Sequence, residues 1–438
     1  MFQNSKILMQ YLKRKYGNGF KSRAELQGWQ EKKVQEFLKK ILPISNFYRQ
    51  YHAGWAINDW HTWPIINKKI MMDNFTALNT VGLTKEEAFA VALAAEESRD
   101  FTPTVRGVTV GLSSGTSGNR GLFLASKDEQ AKWAGAILAK VLPGSLLRPH
   151  RIAFFMRANS KLYQTVGKRQ IQFEFFDMLR PIDEHIDRLN KFQPTILVGP
   201  PSMLRLLADA LHNKLYITPA KVVSVAEVLD PLDKQCLEEQ FQQTIHQIYQ
   251  CTEGFLGVTC RYGTLHLNED LVVIQKDYLD DECRRFSPII TDFSRTSQPI
   301  IRYRLDDIIT ERTACCPCGS PFTAIEQIEG RCDDIFYIEA KTTRRLVPVF
   351  PDFIRRAIIT ADECIIEYVA IQKAESHIQI GLRGHQAGTK ERVQNSLDKL
   401  WDIMNTVSPH IEFIEIPHKI ARRKLRRVER QFVVRWEK

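Results

Sequence analysis

Gly111-Leu-Ser-Ser-Gly-Thr-Ser-Gly-Asn-Arg-Gly121 lies between Val108-Thr-Val and Leu122-Phe-Leu, two short apolar runs that read as strands. Gly, Ser and Thr dominate the stretch, and these residues leave backbone N–H groups and small hydroxyls available to wrap an anion. A Walker A loop would end in Gly-Lys-Ser/Thr and open a helix, and a dinucleotide fingerprint would join a strand to a helix. The strand–loop–strand setting fits neither. Read alone, the stretch also fits a plain surface hairpin, so its meaning depends on the rest of the chain.

Three further motifs lie downstream in order: Tyr249-Gln-Cys-Thr-Glu253-Gly, Arg302-Tyr-Arg-Leu-Asp-Asp307 and Gly330-Arg331-Cys-Asp333-Asp334. With the glycine-rich stretch they supply the parts of a nucleoside triphosphate site. There is an anion loop, a Thr/Glu pair for phosphate and Mg²⁺, acidic residues for ribose hydroxyls and an arginine for phosphate. Each piece has a plainer reading as a turn, an exposed strand edge or a linker. The four in sequence, on one strand-and-helix body, carry the argument.

In these motifs the chain resembles the adenylate-forming superfamily of acyl-CoA synthetases and adenylation domains, in particular its phenylacetate–CoA ligase-like branch. Thr195-Ile-Leu-Val-Gly-Pro-Pro-Ser-Met-Leu and Ser224-Val-Ala-Glu-Val-Leu fit the same branch, and the resemblance spans roughly residues 40 to 430. It implies an α/β fold, with a large N-terminal domain (1–332) of mixed and parallel sheets and helices, and a small mobile α+β domain (333–438). It also implies a two-step reaction. A carboxylic acid, of which aromatic acids are one candidate class, attacks ATP to give acyl-AMP and pyrophosphate; the acyl group then passes to a thiol of coenzyme A or a carrier protein. Same-fold alternatives are amide formation, or a non-catalytic nucleotide- or nucleic-acid-binding relative with a basic tail.

Carried over position by position, the resemblance assigns Ser113, Ser114, Gly115, Thr116, Ser117 and Gly118 to the pyrophosphate. Thr252 would touch phosphate and Glu253 would hold Mg²⁺. Ala226 and Glu227 would flank the adenine with Tyr249 stacked nearby, Asp307 would accept from the ribose, and Arg331 would reach the nucleotide. Asp333 falls at the hinge. The family's loop lysine is replaced by Arg120, which keeps the charge but not its point-like form. The catalytic lysine matches Lys424, with Lys419 the alternative, although Arg423 stands where the family has glycine.

Composition sets the wider frame. The 438 residues carry a formal net charge of +10 and no low-complexity tract, as in an ordinary globular protein of two or three domains. Neither a leader-like apolar run at the start nor a span-length apolar stretch is present, so a cytoplasmic protein is expected. Basic residues crowd the last twenty positions, where nine Lys and Arg from Lys419 to Lys438 face Glu429 and Glu437. Such a tail suits a polyanion or a solvated helix face; with the nucleotide motifs intact, nucleic acid is not the expected partner. The partners expected are a small carboxylic acid, coenzyme A or an acyl carrier protein, and a second copy of the chain in a homodimer.

The chain's nine cysteines are irregularly spaced, unlike a disulfide framework. Cys260, His266, Cys316 and Cys318 form a Cys₃His set suited to structural zinc, similar to one in some members of this branch. The alternative is a group of ordinary buried cysteines, with Cys251 and Cys315 as neighbouring candidates.

Overall fold

The computed structural model describes residues 2–17, 19–113, 120–156, 159, 170–178, 180–211, 213–416 and 426–434. The first hundred residues are mainly helical, with Phe2–Tyr16, Arg23–Ile41 and Lys85–Ser98 the longest helices. Ser22 caps the second of these by accepting from the Glu25 amide at 3.2 Å, and Pro43 follows its end. The glycine-rich stretch joins β1 (Val108–Leu112) to β2 (Leu122–Ser126), antiparallel with Leu112 opposite Leu122. Ser126 and Glu129 then form a reciprocal cap on the helix Lys127–Val141. Glu129 also accepts from the Thr296 and Ser297 amides at 2.5 and 2.7 Å, which ties the helix start to the main body.

That body is a twelve-stranded sheet. Its parallel part contains β3 (His150–Met156), β4 (Ile171–Asp177), β5 (Ile196–Gly199), β6 (Lys221–Val225) and β7 (Ile245–Cys251), in the order β4-β3-β5-β6-β7. Helices Ile182–Phe192, Pro201–Ala210 and Pro231–Phe241 connect these strands, giving the βαβ units that the alternating pattern implies. Ser202 lies inside its helix, because Pro200 is the N-cap and Pro201 the first helical residue, a position that suits proline's fixed φ.

The rest of the sheet is antiparallel: β8 (Gly254–Thr259), β9 (Leu265–Leu267), β10 (Val273–Tyr278), β11 (Arg285–Asp292), β12 (Ile300–Arg304), β13 (Asp307–Glu311) and β14 (Ala324–Arg331). The change of direction falls between β7 and β8. The Thr252-Glu253 pair is thus the turn at which the parallel half becomes antiparallel. β13 and β14 pair with Asp307 opposite Arg331, so the third and fourth motifs meet on neighbouring strands.

After a 3₁₀ turn at Cys332–Asp334 come the hairpin β15 (Phe336–Glu339) and β16 (Leu346–Val349), then β17 (Glu367–Ala374), β18 (His377–Arg383), β19 (His410–Ile414) and β20 (Val428–Arg430). The last four form a sheet ordered β19-β18-β17-β20. The helix Thr389–Ile403 buries Val393, Leu397 and Trp401 against it, with Leu400 and Met404 packed at the edge. These positions recur at helical spacing along one face.

Charged groups join this C-terminal region to the main body. Asp230 and Asp233, at the start of the helix Pro231–Phe241, face Arg355, Tyr368 and Arg427, and all five are buried. Arg427 donates to Asp233 at 2.6 Å, the Tyr368 hydroxyl donates to Asp230 at 2.8 Å, and Arg355 lies 3.0 Å from Asp230. Part of the nominal basic tail is therefore internal. Arg426 pairs with Asp334, and Arg430 donates to the Ile335 carbonyl at 2.8 Å. Among the described residues no helix is long and apolar enough to cross a membrane.

Candidate active site

One cavity of about 810 Å³ opens at the C-terminal ends of the parallel strands, where open α/β sheets bind their ligands. Ser113, Ala226, Glu227, Tyr249, Thr252, Glu253, Asp307 and Arg331 all line it. Segments far apart in sequence thus converge as the motif order implies. Ser114 to Gly118 and Lys424 with Lys419 lie outside the described residues. Asp333 is in the Cys332–Asp334 turn and is not part of the lining, whereas Asp334 is.

At one end the Tyr249 hydroxyl donates to Asp307 Oδ2 at 2.6 Å, and Arg331 Nε lies 3.8 Å from Asp307 Oδ1. Burial, and then the Asp307 charge, push the Tyr249 phenol well above its usual range, so it remains a neutral donor. The carboxylate is held between a hydroxyl and a guanidinium and oriented before any ligand arrives. Ala226, just after β6, has φ of +70°. A left-handed alanine costs free energy, and such residues concentrate at functional sites.

At the turn between β7 and β8, Thr252 Oγ1 donates to Glu253 Oε2 at 2.8 Å and Tyr303 donates to Oε1 at 3.1 Å. Arg295 fixes the turn from behind through the Thr252 carbonyl at 2.6 Å. Each oxygen of Glu253 thus has one hydroxyl donor and keeps lone-pair capacity for a further ligand.

Lys68 was not found by sequence reading. It lines the cavity, and its Nζ is 3.4 Å from Ser113 Oγ. A short pairing positions it: the Ile66 amide donates to the Arg302 carbonyl and the Arg304 amide to the Ile66 carbonyl, after which Asn67 caps the helix Lys68–Asp73. Burial is the largest influence on its ammonium and lowers its pKa; Glu253 acts in the opposite sense. The neck of the glycine-rich stretch is closed by Ser113, whose amide donates to the Gly121 carbonyl at 2.8 Å and whose hydroxyl accepts from the Gly121 amide at 2.7 Å. Arg120, expected to replace the family's loop lysine, is ion-paired with Glu96. Its Nε still lies 3.5 Å from the Ser113 carbonyl, so Lys68 and Arg120 both reach the loop's base. Only its place in an Asn-capped first turn marks Lys68 in the sequence.

Away from the cavity, the ligand atoms of Cys260, His266, Cys316 and Cys318 all lie within 4.8 Å of one another. The sulfurs of Cys260 and Cys316 are 3.7 Å apart, and Cys318 Sγ is 3.4 Å from His266 Nε2. Zn–S bonds of ~2.3 Å in a tetrahedron place sulfurs ~3.8 Å apart, so the set is spaced for that ion. His266 Nδ1 faces the Phe322 carbonyl at 3.1 Å, an arrangement that leaves Nε2 to face the cysteines. Cys251 and Cys315 are not part of the set.

No protein-family model and no curated protein matches the sequence. Solved structures do match. 2-Hydroxyisobutyryl-CoA ligase in its postadenylation state, in complex with 2-HIB-AMP, aligns with a TM-score of 0.67 and 18% identity over 92% of this chain and 89% of that one. The fold is that of the adenylate-forming ligases. The same ligase with 2-HIB-AMP and CoA in its thioesterification state aligns at a TM-score of 0.54, with 17% identity over 96% and 92% of the two chains. The amide bond synthetase McbA from Marinactinospora thermotolerans also shares the adenylate-forming fold, at 0.54 and 13% identity over 92% of each chain.

Proposed function

We propose that this protein is an acid–thiol ligase that uses MgATP to convert a carboxylic acid to its acyl-AMP. The observation that carries this reading is one cavity with an oriented Asp307–Tyr249–Arg331 group at one end and Thr252, Glu253, Ser113 and Lys68 at the other. An oxygen of the substrate carboxylate forms a bond to the α-phosphorus. The bond from that phosphorus to the bridging oxygen breaks, and its electron pair leaves with pyrophosphate. In the second step an acceptor thiolate attacks the acyl carbon and AMP departs; coenzyme A or a carrier-protein thiol is the acceptor in this reading.

In the first step Asp307 binds the ribose hydroxyls, with its carboxylate held by Tyr249 and Arg331. Ala226 and Glu227 border the base. Lys68 and Ser113 bind the phosphate chain from the loop side, where a half-buried ammonium interacts with developing negative charge. Glu253 and Thr252 offer the oxygen ligands that Mg²⁺ favours, and the bound ion would offset the charge of the triphosphate. We place the division of the chain at 332/333 with Asp333 as the hinge. The 3₁₀ turn between β14 and β15 supports it.

Glu253→Gln is expected to lower acid-dependent pyrophosphate release by roughly 10²-fold or more and to raise the Mg²⁺ needed for half-maximal rate. The measurement is a coupled pyrophosphate assay across a Mg²⁺ series; turnover unchanged at every Mg²⁺ concentration would remove Glu253 from the metal role.

The Cys₃His set fits a closed structural zinc site, with zinc joining β8, β9 and the Cys316-Pro-Cys318 turn. About one zinc per chain is expected by elemental mass spectrometry on untagged protein, and Cys318→Ser should lower both zinc content and melting temperature. Zinc-free protein with wild-type stability would return these side chains to ordinary packing.

A further inference from the structure

The cavity does not end at the nucleotide groups. It continues as a slot between the helix Lys127–Val141 and one face of the parallel strands. Ile152, Phe154 and Met156 of β3 line it together with Ile196 and Val198 of β5. Ile152 pairs with Ile196 and Phe154 with Val198. Residues two apart share a face of a sheet, so the floor is continuous apolar surface. The roof is Trp133, Ala136, Ile137 and Val141, one face of the helix.

Both walls give the slot's length. Ile152 to Met156 spans ~13 Å at 3.3 Å per strand residue. Trp133 to Val141 spans ~12 Å at 1.5 Å per helical residue. An extended chain advances ~1.2 Å per bond, since three backbone bonds span roughly 3.3–3.6 Å; the slot thus accommodates a run of about ten bonds. A single aromatic ring would fill part of it and leave the remaining wall without contacts.

Charge narrows the class further. Among the described residues, the cations bordering this part of the cavity are paired: Arg14 with Asp270 at 2.8 Å, Lys132 with Asp128 at 2.9 Å, and Arg99 with Asp177. A second carboxylate at the far end of a substrate would have to compete with these carboxylates.

We propose that the substrate is a monocarboxylic acid with an unbranched apolar tail of about eight to twelve carbons, sized by the ~1.2 Å advance per bond. The tail lies between the β3/β5 face and Trp133, Ala136, Ile137 and Val141, and the carboxylate points to the nucleotide end. The chemistry rests on the adenylation reading; the fit of the tail does not.

The test is kcat/KM for pyrophosphate release with straight-chain acids of four to sixteen carbons, with phenylacetate, and with decanedioate. Calorimetric titration of decanoate, with and without AMP, runs beside it. A rise of roughly threefold to fourfold per methylene is expected, levelling near ten carbons, with phenylacetate and decanedioate each at least about tenfold below decanoate. Ala136→Leu narrows the roof, and Val198→Phe fills the slot from the floor. Each should lower kcat/KM for decanoate at least about tenfold while butyrate stays within about twofold. A flat profile, a preference for phenylacetate, or equal loss for butyrate and decanoate in both variants would overturn the proposal. Decanoate binding without pyrophosphate release from any acid would leave the slot standing and overturn the adenylation reading. Release with other acids, but neither binding nor release with decanoate, would do the reverse.

Discussion

Lys424→Ala is expected to slow acyl-AMP formation by about 10²- to 10³-fold, the scale for removing one electrostatic stabiliser of a transition state. Transfer from supplied acyl-AMP should stay close to the wild-type rate. The lysine lies in the C-terminal region, which in the proposed cycle rotates between half-reactions, so its ammonium acts in only one of them. Arg426, two residues further on, lines the cavity and is paired with Asp334. Binding of ATP should change little, because Asp307, Arg331, Lys68 and Glu253 belong to the main body. Single-turnover measurement of both half-reactions is the check. Equal loss in both, or none in either, would sink Lys424 and move the assignment to Lys419.

Arg427→Ala should destabilise the folded protein by about 3–5 kcal/mol, the usual cost of leaving a buried charge without its partner. The substitution leaves Asp233, which is 1% exposed, with the more distant Arg205 at 3.7 Å in place of a two-point pairing, and it removes a donor to the Tyr368 carbonyl. Asp230 keeps Arg355 and Tyr368 but loses a nearby positive charge. Replacing both partners by apolar residues, Asp233→Leu with Arg427→Met, should restore at least half of the loss, because a buried pair exchanged for good packing is often neutral. Urea unfolding of the two single variants and the double variant measures the coupling. A loss below about 1 kcal/mol, the value of an exposed pair, would mean that these charges do not hold the C-terminal region to the main body.

That Tyr249, Thr252, Glu253, Asp307 and Arg331 converge on one cavity was legible in the sequence for a local reason. Tyr249, Thr252 and Glu253 fall within one strand end and turn, and Asp307 and Arg331 sit in compact motifs, so their types and order survive without coordinates. The parallel strands were legible because β3, β5 and β6 are largely buried and rich in apolar residues, as in Ile152-Ala-Phe-Phe-Met and Ile196-Leu-Val. The antiparallel half was not, since several of β8 to β14, such as Val273–Tyr278 and Ala324–Arg331, mix polar and apolar residues without a clear run. Lys68 escaped because one lysine at the start of a six-residue helix looks like any surface lysine; the bridge from Ile66 to Tyr303 carries it inward. Arg426, Arg427 and Arg430 read as a solvated basic tail. Their partners Asp334, Asp233 and Ile335 are 92, 194 and 95 positions away, and a charge pattern says nothing about partners at that distance.

The central claim is that a carboxylate oxygen of the substrate attacks the α-phosphorus of ATP. The most direct measurement uses an acid labelled with ¹⁸O in both carboxyl oxygens, incubated with protein, MgATP and acceptor thiol, with the nucleotide products analysed by mass spectrometry. The expected products are AMP carrying one ¹⁸O and unlabelled pyrophosphate. Label in inorganic phosphate with ADP as the nucleotide product, or AMP without label, would contradict that attack.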